Sequence, residues 1–141
     1  MEQKEKEGME LKYILPYLLH GLNFQCIDIE SGEYEELPLT AIILTNGRQD
    51  LIIGNTEIDI DDLFANEYEA FYPILKPLSD LTKKELYNAG FQCHVDYLTH
   101  ENKGVEWTLK APYNHIEYLF KNHFDVFGLI PKKLAVDIND L

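Results

Sequence analysis

Carboxylates are the commonest reactive groups in this chain, and four of them gather in one short run: Glu57, Asp59, Asp61 and Asp62. Acids this close are the first requirement of a calcium loop. Such a loop also needs a glycine at its sixth position and a glutamate at its twelfth. Counted from Asp59, those positions hold Phe64 and Ala70. The loop pattern therefore fails, and no metal ligand set is expected. The alternation Glu57, Ile58, Asp59, Ile60 reads instead as the wet face of a strand. It runs into an acidic helix start, where carboxylates offset the positive end of the helix dipole.

The other reactive side chains are dispersed. The histidines are His20, His94, His100, His115 and His123, with no pair at metal-ligand spacing. His115 and His123 stand eight apart, two turns along one expected helix, too distant in rise to share an ion. Cys93 and His94 are neighbours in an expected strand, so they face opposite sides and form no thiolate–imidazolium pair. His94 and Asp96 share a face, as an ordinary hydrogen-bonded pair would. Cys26 and Cys93 each sit in an apolar run and read as small buried hydrophobes. No phosphate-binding glycine loop and no nucleophile elbow occurs. No catalytic residue is assigned and no cofactor is implied. An enzyme built on this chain would have to assemble its site from His94, Asp96, His115 and Glu117.

The elements that must position these residues follow from periodicity and turn chemistry. Residues 1–8 read as a flexible leader and 9–141 as a single domain, with Met9 a second candidate start. Residues 11–19 are apolar but broken by Pro16, which leaves their type open. Strands are expected over residues 22–30, 37–45, 50–53 and 56–60. Turns fall at Ser31-Gly32, Asn46-Gly47 and Gly54-Asn55. The Asn-Gly pair between two apolar runs is a type I′ hairpin signal. Asp61 is placed to cap a short helix reaching about Ala70. Thr82 and Glu85 have capping-box spacing for a helix ended by Gly90. Residues 91–98 and 105–109 read as strands. Pro112 suits the first turn of a helix whose apolar positions are Ile116, Leu119, Phe120, Phe124 and Phe127, stopped by Gly128. Residues 134–138 alternate as a last short strand. The sum is an α+β fold: an antiparallel β meander with two to three helices packed on it.

Charge narrows the partners. Residues 1–70 hold 16 acids and 4 bases, whereas residues 71–141 hold 9 and 8. Between residues 28 and 69 stand twelve acids and one base, Arg48, the only arginine of the chain. Such a field repels phosphate backbones, so direct nucleic-acid binding is not expected. No apolar run approaches the roughly 20 residues of a membrane span. The charged opening lacks the apolar core of a signal peptide, which predicts a cytoplasmic location.

Two stretches resemble a known group. They are Pro73-Ile74-Leu75-Lys76-Pro77-Leu78-Ser79-Asp80-Leu81-Thr82-Lys83-Lys84-Glu85, and His123-Phe124-Asp125-Val126-Phe127-Gly128-Leu129-Ile130 followed by Leu134-Ala135-Val136-Asp137-Ile138-Asn139. Together they resemble a group of short proteins encoded in phages and prophages of gut bacteria and their relatives. The resemblance runs in outline from Met9 to Leu141 and is loosest over residues 22–62. It implies an accessory role inside a bacterial host and transfers no functional residue.

These readings converge on a non-enzymatic protein that acts by binding another protein, a basic one by the charge argument. The candidate contact residues are Trp107, Tyr113 and Tyr118, whose side chains make good interface anchors, together with Glu57, Asp59, Asp61 and Asp62. The alternatives are the dispersed-site enzyme and a self-assembling virion component, for which a homo-oligomer is the expected form.

Overall fold

The computed structural model describes residues 8–64, 68–88 and 113–141. The expected β-rich first half is present. Its strands are Asn23–Asp28 (β1), Tyr34–Thr45 (β2), Arg48–Ile53 (β3) and Thr56–Asp59 (β4), followed by Glu69–Leu75 (β5) and Val136–Asp137 (β6). They form one sheet in the order β4-β3-β2-β1-β5-β6. Pairing is antiparallel except between β5 and β6, which run parallel. The ambiguous apolar stretch near the N-terminus is helical: Leu11–Ile14 (α1) tightens into a 3-10 turn over Leu15–His20, with Pro16 in its first turn, where no amide hydrogen bond is lost. Lys83–Asn88 (α2) and Tyr113–Lys121 (α3) complete the helices. The fold is α+β, as the sequence predicts.

β2 is the spine. Its first part pairs with β1 (Tyr34 opposite Ile27, Pro38 opposite Asn23), and its second part pairs with β3 (Ile42 opposite Leu51, Thr45 opposite Arg48). The register shifts between Leu39 and Ala41. An irregularity of this kind bends a strand and increases its twist, so one long strand serves two halves of the sheet. Asn46 and Gly47 both have positive φ, 42° and 81°, which is the type I′ turn that the right-handed twist of the hairpin requires.

One face of the sheet is dry. Phe24, Cys26, Phe71 and Leu75 from β1 and β5 join Leu51, Ile53 and Ile58 from β3 and β4. Ile14 and Tyr17 pack there from the N-terminal helix, and Leu129 and Leu134 from the C-terminal segment. A second cluster, Leu81, Leu119, Phe124 and Val126, seats α3.

The structure corrects two expectations. No helix starts at Asp61: Asp59 is the capping residue, its Oδ1 accepting from Asp61 N at 2.9 Å, and only a 3-10 turn over Ile60–Asp62 follows. By Glu69 the chain is already strand, because the Ala70-Phe71-Tyr72 run pairs with β1 and buries Ala70 and Phe71. The helix carrying Leu119 ends at Lys121, not at Gly128. Asn122 Nδ2 donates to Tyr118 O at 2.9 Å, and His123 takes φ 63°. His123 N then bonds Phe120 O and Phe124 N bonds Leu119 O, the paired bonds of a Schellman stop. Phe124 and Phe127 therefore lie beyond the helix, and His123 is off the helix that holds His115. The strands expected over residues 91–98 and 105–109 lie outside the described residues, as does Gly90.

Candidate functional site

The acidic run divides into two pairs. Glu57 and Asp59 join Arg48 and Asp50 on the face of β3 and β4 away from the core. Arg48 Nε donates to Asp50 Oδ1 at 2.7 Å and lies 3.6 Å from Asp59 Oδ2. The hydrogen bond from Arg48, then one shared with Glu57, holds the Asp50 carboxyl below its ordinary range. The same contact with the Asp50 carboxylate raises Glu57 above its own. The guanidinium thus offsets part of the negative charge of the three carboxylates around it. Arg48 and Glu57 are exposed, so water screens their charges, whereas Asp50 is buried between them. Asp61 and Asp62 stay exposed in the turn. Among the described residues no group of His, Cys, Asp and Glu could hold a metal ion.

A different surface forms at the β1–β2 end of the sheet. Asp28 builds the turn: its Oδ1 accepts from Glu30 N at 2.9 Å and from Ser31 N at 3.0 Å. Gly32, at φ 75°, donates its amide to Asp28 O. Asp28 stands opposite Glu69 and Ile27 opposite Tyr34, while Ile29 N donates to Tyr68 O at 2.9 Å. This register gathers Ile29, Tyr34 and Tyr68 at one edge, with 53%, 48% and 74% of their surfaces exposed. Five exposed acids lie at the same end of the strands: Glu36 shares the face of Tyr34, Asp28 and Glu35 lie on the Cys26 side, and Glu30 and Glu33 stand in and beside the turn. Among the described residues none of these five carboxylates has a basic partner. Apolar surface beside negative charge that lacks basic partners among the described residues has the composition of a contact surface.

Other reactive groups are committed to the fold. Cys26 Sγ donates to Glu69 Oε2 at 2.8 Å; burial, then the Glu69 carboxylate, pushes the thiol up to about 12. A thiol held protonated is not a nucleophile. The Tyr17 hydroxyl donates to Phe124 O at 2.5 Å and accepts from Val126 N at 3.2 Å, and burial drives its ionisation upward. Asp125 is buried and accepts from Leu129 N at 2.7 Å and Ile130 N at 2.9 Å. His123 Nε2 meets His20 O at 2.5 Å.

The two stretches that carry the phage-protein resemblance meet in space. Lys76 N donates to His123 O and Asp125 N donates to Lys76 O, both at 2.8 Å. Ile74 pairs with Val136 and Leu75 with Asp137. Asn139 Nδ2 donates to Asp80 Oδ2 at 2.7 Å. The residues of these stretches build β5, its parallel neighbour and the buried turn between them.

Of the aromatic anchors read from the sequence, Tyr118 is half-buried against the second cluster; burial, then Glu85, pushes its hydroxyl up to about 12. Tyr113 opens α3, and Trp107 lies outside the described residues. Glu117 is exposed on α3, which also contains His115; His94 and Asp96 lie outside the described residues. Ile29, Tyr34 and Tyr68 were not singled out by sequence reasoning. Only the Ser31-Gly32 turn hinted at the site, because Tyr68 arrives through a long-range strand pairing. Compared with family models, curated proteins and solved structures, the chain matches none. Among the described residues no helix is long and apolar enough to cross a membrane.

Proposed function

We propose that this protein is a non-enzymatic accessory protein of a phage or prophage that acts in the bacterial host's cytoplasm by binding a basic protein. The observation that carries the reading is the β1–β2 end: exposed Ile29, Tyr34 and Tyr68 close to exposed acids that lack basic partners among the described residues. Aromatic and aliphatic side chains supply contact area, and the acids at this end steer and select a positively charged partner. The phage context rests on the resemblance of residues 73–85 and 123–139. The commitment of Cys26, Tyr17, Asp125 and His123 to structural bonds favours binding over catalysis.

The test is capture from bacterial lysate with two baits: the parent, and a variant with Glu33→Lys, Glu35→Lys and Glu36→Lys. These side chains are exposed, so the variant retains the fold. The expected result is a basic protein retained by the parent, released by salt, and absent from the variant. Identical capture by both baits rejects the reading.

A further inference from the structure

A cleft adjoins that surface along β1, on the side of the C-terminal segment. The C-terminal segment, folded beside β5, leaves an open cleft of about 320 Å³ against the outer face of β1 and β5. Its lining includes Gln25, Ile27, Tyr72, Lys133, Asp137 and Asp140. The volume lies at the lower end of the roughly 300–1,000 Å³ range of small-ligand sites.

Gln25 is the unusual member. It is 8% exposed, yet among the described residues its side-chain amide has no hydrogen-bond partner. A buried polar group without a partner costs free energy and calls for an explanation. Cross-strand pairing puts Gln25 opposite Tyr72, whose ring is fixed by stacking on Phe64 at 4.8 Å between centroids. Lys133 is held at φ 62° by the turn that ends the C-terminal loop, its N donating to Ile130 O. Asp137 is fixed as well, its Oδ1 accepting from Asn139 N at 2.8 Å. The cleft thus presents a carboxamide unsatisfied among the described residues, an apolar wall and charges of both signs on ordered backbone.

We propose that this cleft binds a short zwitterionic peptide. A carboxamide offers a donor and an acceptor in one plane, the complement of a peptide group. The ligand's ammonium pairs with Asp137 and Asp140, its carboxylate pairs with Lys133, and an apolar side chain rests on Ile27. Phosphate-bearing ligands are disfavoured by the two aspartates and by the net charge of −13. A nucleobase matches the amide edge but leaves both charge pairings unused.

The probe is the dipeptide alanyl-leucine, titrated into the full chain and followed by amide NMR. Saturable shifts are expected at the Gln25 side-chain amide and at the Ala135, Val136 and Asp137 backbone, with millimolar affinity. N-acetylation of the dipeptide, or Asp140→Asn at an exposed position, is expected to weaken binding about fivefold to tenfold, the equivalent of one solvent-exposed hydrogen bond. Gln25→Leu is expected to weaken binding by a similar factor while leaving the unfolding midpoint unchanged or higher, since it removes an unpartnered polar group. The proposal is overturned if no saturable shifts occur, if Gln25→Leu binds equally well or loses stability, if the acetylated peptide binds as tightly, or if uridine binds more tightly than the dipeptide.

Discussion

Asp125 shows how one side chain can set a loop. Its two carboxylate oxygens accept from consecutive amides, Leu129 N and Ile130 N. An asparagine presents an acceptor to only one of them and turns an NH2 group on the other. Asp125→Asn is therefore expected to cost about 1–3 kcal/mol, read from the shift in urea midpoint. The effect should vary with pH. Burial raises the proton affinity of Asp125 in the folded chain, against the opposing pull of the backbone amides and Lys132. The folded state then binds this proton more tightly than the unfolded chain. The stability contributed by the group is complete below the ordinary carboxylate range and falls as pH rises through its folded value. Asparagine has no such slope, so the gap between parent and variant should narrow as pH rises across that window. A gap that widens instead would reverse the assigned direction.

At the scale of elements, two stops made without glycine govern the second half of the chain. His123 and Lys133 both adopt positive φ, and each is followed by a residue whose amide reaches back five positions: Phe124 to Leu119 and Leu134 to Leu129. A side chain in this left-handed region costs roughly 1–2 kcal/mol that glycine avoids, partly offset by glycine's larger loss of freedom on folding. Lys133→Gly is expected to stabilise the fold by about 0.5–1 kcal/mol, a rise of a few degrees in Tm. A lower Tm would mean that the lysine side chain holds the turn. These stops also explain what was legible in the sequence. The β2–β3 hairpin was readable because Asn46-Gly47 carries its own turn chemistry. The end of α3 was not, since its stop is a histidine while the nearest glycine, Gly128, serves a later turn. The helix expected after Asp61 failed because β5 is dictated by pairing with β1, some forty residues earlier. For the same reason the acidic run was visible as a run, but neither its division around Arg48 nor the arrival of Tyr68 beside Ile29 could be read from spacing.

For the molecule as a whole, charge is the dominant surface property. A net −13 on 141 residues opposes compaction, and mobile ions screen that opposition. The unfolding midpoint is expected to rise as sodium chloride is added from low ionic strength. Reversing Glu33, Glu35 and Glu36 to lysine brings the net charge to −7 and should flatten the response. An equal salt slope in parent and variant would show that the β1–β2 end contributes little to the repulsion.

The Tyr17 hydroxyl has a further consequence, one of timing. Its partners, Phe124 O and Val126 N, lie 107 and 109 residues along the chain. At roughly 5–20 residues per second, a ribosome delivers them on the order of ten seconds after Tyr17. The β2–β3–β4 meander is complete well before then. The first helix made must therefore wait, apolar and unlatched, for nearly the last segment to emerge. Newborn chains pass through an interval in which the Tyr17 hydroxyl lacks these two partners, and this latch closes late.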